Sequence, residues 1–195
     1  GEEAAGDRPT ARARGEREEV RNAEEVLVKV VRVVANLAIH PDVGPLLARS
    51  ERAAPALLHV LERHTLEGSE ELMLNVVCAV TNLSFYAVEG NALLAKGEVV
   101  PSHLAALLLC HNDEAVGEAA RAFGNFSRDA SVRSFMARER VHEALCLLLD
   151  HPSRDVLYSV VGCLVNLSGD ATLRGLLLGE GAAQRLADVL ERHTG

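Results

Sequence analysis

The sequence has no tryptophan, and only four Phe and two Tyr in 195 positions. A core with so little aromatic surface has to be built from Leu, Val and Ala, which suits packed helices better than a sandwich or barrel. No apolar run reaches the roughly 18–20 residues needed to span a bilayer. The opening GEEAAGDRPTARARGE holds no apolar block of the kind that starts a secretory leader. Cysteine is sparse: Cys78, Cys110, Cys146 and Cys163 form no CxxC pair and no Cys/His cluster at zinc-ligand spacing. They read as small buried hydrophobes in a reducing compartment. Basic charge is short as well. With 20 Lys and Arg against 28 Asp and Glu, the net charge of −8 repels nucleic acid and anionic membrane. There is no glycine-rich phosphate loop, no nucleophile elbow and no HExxH, and the eight histidines do not recur with a Ser or Cys partner. The sequence therefore excludes a recognisable enzyme and calls for no cofactor, metal or small-molecule substrate.

What the sequence does have is a recurring tripeptide. Asn82-Leu83-Ser84, Asn125-Phe126-Ser127 and Asn166-Leu167-Ser168 each have the form of an N-glycosylation acceptor. A fourth copy, Asn36-Leu37-Ala38, lacks the hydroxyl. The asparagines are 46, 43 and 41 residues apart, and a period in the low forties fits a helical solenoid. Counting from each Asn, apolar residues fall at −9, −6, −5, −2 and +1. The first set is Leu27, Val30, Val31, Val34 and Leu37, and the third is Val116, Ala119, Ala120, Phe123 and Phe126. Spacings of three and four mark one stripe of an α-helix. Such a helix is no place for a sugar, so the acceptor pattern is a by-product of a position that needs Asn, a packing residue and a small residue in that order.

Between these helices the pattern also repeats. Each Asn helix is followed by a turn (HPDVG, YAVEG, RDAS, GDAT) and a short apolar helix carrying Leu46-Leu47, Leu93-Leu94, Phe135-Met136 or Leu176-Leu177. A second break near Ser50, Gly97, Glu139 or Gly181 leads into a medium helix, and Ser69, Asp113 and Ser153 are the expected caps of the next long one. Residues 1–16 read as a flexible mixed-charge segment and 17–195 as the repeat array, its long helices ending near 39, 86, 127 and 168. VLERHT at 60–65 precedes a long helix, whereas its second copy at 189–194 is followed only by Gly195. With a Gly rather than a Met at position 1, this suggests an internal slice of a longer protein.

The three-helix unit closing on VTNLS, GNFS or VNLS resembles the armadillo repeat. The resemblance implies an all-α, right-handed superhelical solenoid of about four repeats, with the third helices lining a concave groove. It also implies that Asn36, Asn82, Asn125 and Asn166 form a ladder able to hydrogen-bond the backbone of an extended peptide, because a carboxamide offers a donor and an acceptor together. Nuclear-import adaptors of this family carry Trp four residues before the Asn. Here that position holds Arg32, Cys78, Arg121 and Gly162, so basic localisation signals are not the expected cargo. Arg32 and Arg121 would give the groove fixed positive charge suited to carboxylates or carbonyls, with Tyr86 and Tyr158 as its aromatic contacts. The expected role is a non-catalytic scaffold whose partners are other proteins in a large assembly. Residues 118–136 and 160–177 resemble a ciliary member of the family, which implies a cytoplasmic or cytoskeletal place in the axoneme, as a component or assembly factor associated with radial spokes. A soluble peptide-binding receptor of the signalling or transport kind is the alternative.

Overall fold

The computed structural model describes the backbone of residues 11–86, 90–95 and 97–194, and side chains from Glu18 onward within those spans. Among the described residues there are eleven α-helices and no strand. The long helices are α1 (Ala11–Ala38), α4 (Glu70–Ser84), α6 (Asp113–Phe126) and α9 (Arg154–Gly169). Between them lie α2 (Gly44–Ala48), α3 (Ala53–Arg63), α5 (Val99–Leu107), α7 (Ala130–Arg138) and α8 (Val141–Leu147), the last running into a 3₁₀ turn at Leu148–Asp150. Helices α10 (Ala171–Gly179) and α11 (Ala182–Thr194) complete the chain. Helix α1 starts earlier than the expected Glu16, and residues 1–10 of the segment expected to be flexible lie outside the described residues. The long helices pack in line, α1 on α4, α4 on α6 and α6 on α9, while the shorter helices pack against them.

The apolar stripe is the core of this stack. In α4, α6 and α9, Val76, Ala119, Val160, Leu83 and Leu167 are fully buried and Phe126 is 2% exposed. Phe123 is the largest side chain with no exposure at all. The first copy departs from the pattern, since Val30 and Leu37 are 53% and 44% exposed.

Caps explain where the units break. Asp129 begins α7 by accepting from the backbone N–H of Ser131 and Val132, and Asp170 does the same for α10 with Thr172 and Leu173. Ser153 caps α9 through Val156 N–H. The cap of α6 is Asn112, which accepts from Ala115 N–H at 2.9 Å, so Asp113 is the first helical residue instead of the cap. Ser69 occupies the cap position of α4 without a side-chain bond to it.

The second unit differs most from expectation. Leu93-Leu94 lie in successive turns over 92–95 and not in a helix. The buried carboxamide of Asn91 holds this path by donating to Leu83 O and Tyr86 O and accepting from Leu93 N–H. The helix-interior glycines also separate. A Cβ on Gly124 would lie 3.6 Å from Cys163 Cα, a close helix-to-helix approach, whereas one on Gly162 would meet nothing within 4 Å.

Candidate functional site: the long-helix face

The four asparagines stand one behind another on the long helices, and their carboxamides face the preceding unit. Asn82 Nδ2 donates to Ala35 O at 3.1 Å. Asn125 Nδ2 donates to Thr81 O at 3.2 Å and to Ser84 Oγ at 3.0 Å. Asn166 Nδ2 donates to Gly124 O at 2.8 Å and to Ser127 Oγ at 3.1 Å. In each case the accepting carbonyl belongs to the residue just before the previous Asn, near the helix C-terminus where carbonyls lack intrahelical partners. The serine two places after each Asn bonds the same carbonyl, as in Ser84 Oγ to Thr81 O and Ser127 Oγ to Gly124 O. The tripeptide is therefore a joint: Asn reaches back, Leu or Phe packs, and Ser accepts from the Asn of the next unit. Among the described residues nothing bonds the Asn36 carboxamide.

This changes what the ladder offers. Its donors are committed inside the protein. Among the described residues the Oδ1 atoms of Asn82, Asn125 and Asn166 receive no donor, so each rung presents an acceptor only.

The arginines are neutralised locally. Arg32 donates to Glu71 at 2.6 Å and to Asn75 Oδ1 at 3.2 Å, and Arg121 lies across both carboxylate oxygens of Glu118 at 2.5 and 2.7 Å. Acidic residues recur beside them. Eleven residues before each Asn stand Glu25, Glu71, Glu114 and Asp155, and one place earlier Glu24, Glu70 and Asp113. Glu70 and Asp113 reach the following unit, Glu70 Oε1 accepting from Asn112 Nδ2 at 2.6 Å and Asp113 Oδ1 lying 3.5 Å from His151 Nε2. The same counting from Asn that reveals the apolar stripe would have revealed this row. It escapes notice because acid in a first helical turn is ordinary dipole compensation.

Tyr86 and Tyr158 have different surroundings. Tyr86 is half-buried, its hydroxyl donating to Ala38 O at 2.8 Å and lying 3.3 Å from His40 O. Its ring fills the space beside Gly44, where a Cβ would come within 2.2 Å of ring atoms, so any larger residue there would displace the ring. Tyr158 is 83% exposed and walls a cavity of about 550 Å³ that also takes in Asp113, Glu114, Glu118, Arg121 and Asp155. A second groove-side cavity, about 290 Å³, joins Asn82, Asn125, Arg121 and Tyr86 with Phe85 and Ile39. Phe85 is 62% exposed, stacks edge-on to Tyr86 at 5.5 Å and carries the Arg128 guanidinium 6.0 Å above its ring. Sequence reading missed it because it follows the tripeptide of a single unit.

Away from this face, His142, Glu143 and Glu180 bring their ligand atoms within 4.8 Å of one another. His142 Nδ1 donates to Met136 O, and the Glu143 carboxylate is taken by Arg140, which holds it below the usual carboxylate range. Burial pushes the Cys163 thiol up to about 12 and raises buried Cys146 and half-buried Cys78 as well, which keeps the nucleophilic thiolate scarce near neutral pH.

In-line stacking of three-helix units around an Asn ladder defines an armadillo repeat array, and solved structures agree. The chain superposes on a computationally designed armadillo repeat protein for modular peptide recognition with a TM-score of 0.75, at 24% identity, over 88% of this chain and 71% of that one. A designed armadillo repeat protein in complex with the peptide (KR)4 gives a TM-score of 0.65 at 21% identity, over 90% and 69%. No family model matches the sequence. The chain is similar to Armadillo repeat-containing protein 2: the mouse protein is 40% identical over 168 residues, 86% of this chain, and the human protein 38% identical over the same length. The chain spans about a fifth of the length of these curated relatives.

Proposed function

We propose that this chain is a non-catalytic docking scaffold whose long-helix groove receives an extended, Lys- or Arg-bearing segment of a protein partner. The observation that carries the reading is the acidic residue at one position of all four long helices, Glu25, Glu71, Glu114 and Asp155, beside cavities of about 480 and 550 Å³. Helices stacked at about 8–10 Å would present one of these positions every two to three residues of a chain rising about 3.3–3.6 Å per residue, with the Glu71 carboxylate shared with Arg32. Between them the free Oδ1 atoms of Asn82, Asn125 and Asn166 would accept backbone N–H groups, and Phe85 and Tyr158 would cover the aliphatic stems of the basic side chains. Arg32 and Arg121 then act inside the array, as counterions of Glu71 and Glu118, and Asn36 is the rung with both donor and acceptor to offer. The (KR)4 complex of the designed armadillo protein supports a basic occupant by analogy of fold.

For the whole protein we infer a place in a large cytoskeletal assembly, the ciliary axoneme, as a component or radial-spoke assembly factor. Similarity to Armadillo repeat-containing protein 2 and the resemblance of residues 118–136 and 160–177 to a ciliary armadillo protein support this.

The test is fluorescence anisotropy with labelled Lys/Arg-rich and Asp/Glu-rich peptides of equal length. The expected result is binding of the basic peptide that weakens with salt and falls at least about tenfold in Glu114→Lys, the 1.4 kcal/mol that losing one well-placed charge pair can account for. Preference for the acidic peptide would overturn the groove assignment. Retention on salt-stripped axonemes tests the assembly. Release at moderate salt with peptide binding intact would favour the soluble receptor instead.

A further inference from the structure

One buried imidazole outside the groove is bonded on only one side of its ring. His142 stands in the first turn of α8 and is 3% exposed. Its Nδ1 lies 3.2 Å from Met136 O, and since a carbonyl can only accept, Nδ1 carries the ring proton. Among the described residues Nε2 takes no hydrogen bond. It lies 3.9 Å from Glu143 Oε1, beyond hydrogen-bond reach, and the ligand atoms of His142, Glu143 and Glu180 are all within 4.8 Å of one another. The neutral ring thus aims a lone pair at two carboxylates. Electron-rich atoms set face to face in a partly buried place call for a cation among them. Arg140 balances part of this charge through its bond to Glu143 but makes no hydrogen bond to Glu180.

Packing does not itself demand a histidine here. Counting 41 residues back and forward, the equivalents of His142 are Pro101 and Ala183, and those of Glu143 are Ser102 and Gln184. Pro101 is buried, as His142 is, so an apolar ring satisfies the same place one unit earlier. Glu180, by contrast, recurs: Glu98 and Glu139 precede it at the same spacing. It ends α10, and Gly181, at φ 74°, turns the chain into α11. Helix α8 packs on α10, so the three side chains meet across a joint that lies wholly within the chain. A histidine whose Nδ1–H is fixed on a backbone carbonyl presents Nε2 as metal-bound histidines do, and a second group commonly bonds a ligating carboxylate, as Arg140 bonds Glu143.

We propose that His142 Nε2, Glu143 and Glu180 bind one zinc-class divalent cation that clips α8 to the turn between α10 and α11. One imidazole with two carboxylates suits Zn²⁺ and its transition-metal neighbours, whereas Ca²⁺ and Mg²⁺ take oxygen ligands. Three protein ligands and a water complete a tetrahedral shell. Ligand atoms about 2.0–2.2 Å from zinc stand about 3.3–3.5 Å from one another, so the set contracts by about 0.5–1.5 Å on binding. The exposed Glu180 side chain has the freedom to make that movement. Glu143 has two oxygens and can hold Arg140 and the metal together. A cation held only by the folded array stabilises it further as its concentration rises above Kd. Sequence spacing called for no metal because Glu143 and Glu180 are 37 residues apart and the set contains no cysteine.

The experiment is calorimetric titration of the chelator-stripped chain with Zn²⁺, with Ca²⁺ as the control, alongside thermal melts. One Zn²⁺ should bind per chain at micromolar concentration and raise the melting temperature, and Ca²⁺ should do neither. Two variants locate the site. His142→Asn keeps a carboxamide able to donate to Met136 O, and Glu180→Gln changes an exposed position. Each should weaken Zn²⁺ binding at least about tenfold. Circular dichroism checks that both fold, and if His142→Asn does not, Glu180→Gln decides alone. Absence of Zn²⁺ binding, an equal response to Ca²⁺, or an affinity unchanged in a folded variant would each overturn the proposal. The first of these would mean that a proton on Nε2 balances the carboxylates instead.

Discussion

The fate of one carboxamide decides how the tripeptide is understood. Replacing Asn125 by Ala removes a donor to Thr81 O and Ser84 Oγ and leaves this buried carbonyl and hydroxyl bonded only to each other. The expected cost is about 1–3 kcal/mol by urea denaturation. Replacing Asn36, which bonds nothing among the described residues, should change the stability of the monomer by less than about 0.5 kcal/mol. The contrast matters because the two residues are indistinguishable by sequence position. Phe123, fully buried, should cost about 3–5 kcal/mol as Ala, with helical content retained in dilute denaturant. The asparagines and their spacing are plain in the sequence, but their acceptors are not. A donor aimed at a carbonyl some 40 residues away leaves no trace in composition or periodicity. The pairing of Arg32 with Glu71 is hidden for the same reason.

At the scale of the element, the starts of α4 and α9 at Ser69 and Ser153 were legible, whereas the cap of α6 is Asn112 and not the expected Asp113. Asp129 and Asp170 stand in turns visible in the sequence, RDAS and GDAT. Both carboxyls are held below the usual carboxylate range. The Ser131 hydroxyl is the main cause for Asp129, and the Leu173 N–H followed by Arg133 for Asp170. A carboxyl depressed by folding stabilises the protein above its unfolded value and loses that contribution as pH falls through the folded one. Thermal stability should therefore be flat above about pH 5 and decline from about pH 4 downward. Asp170→Asn, which retains the cap but not the charge, should flatten part of that decline, and a melting series in low-salt buffer checks it. The one short helix that fails to form, around Leu93-Leu94, could not have been read as turns. Its apolar residues have the same pattern as in the other units, and the bonds that hold its turns come from the buried Asn91.

For the whole molecule, the period of the asparagines and the stripe around them were enough to give an in-line stack of three-helix units, because only neighbouring units touch and local pattern dictates global form. The surface chemistry needed the coordinates. Four acids in one row look like helix-terminal compensation until the cavities beside them are seen. One consequence concerns reagents: Cys163, raised to about 12, should resist alkylation in the native array at pH 8 and react on unfolding, as mass spectrometry would show. The central claim is that the repeats are stitched by their asparagines. The direct measurement is equilibrium unfolding of the triple variant Asn82→Ala, Asn125→Ala, Asn166→Ala beside wild type. The ladder account predicts a loss of about 3–6 kcal/mol, about 1–2 for each joint, with far-UV helicity unchanged before the transition. A triple variant as stable as wild type would contradict it.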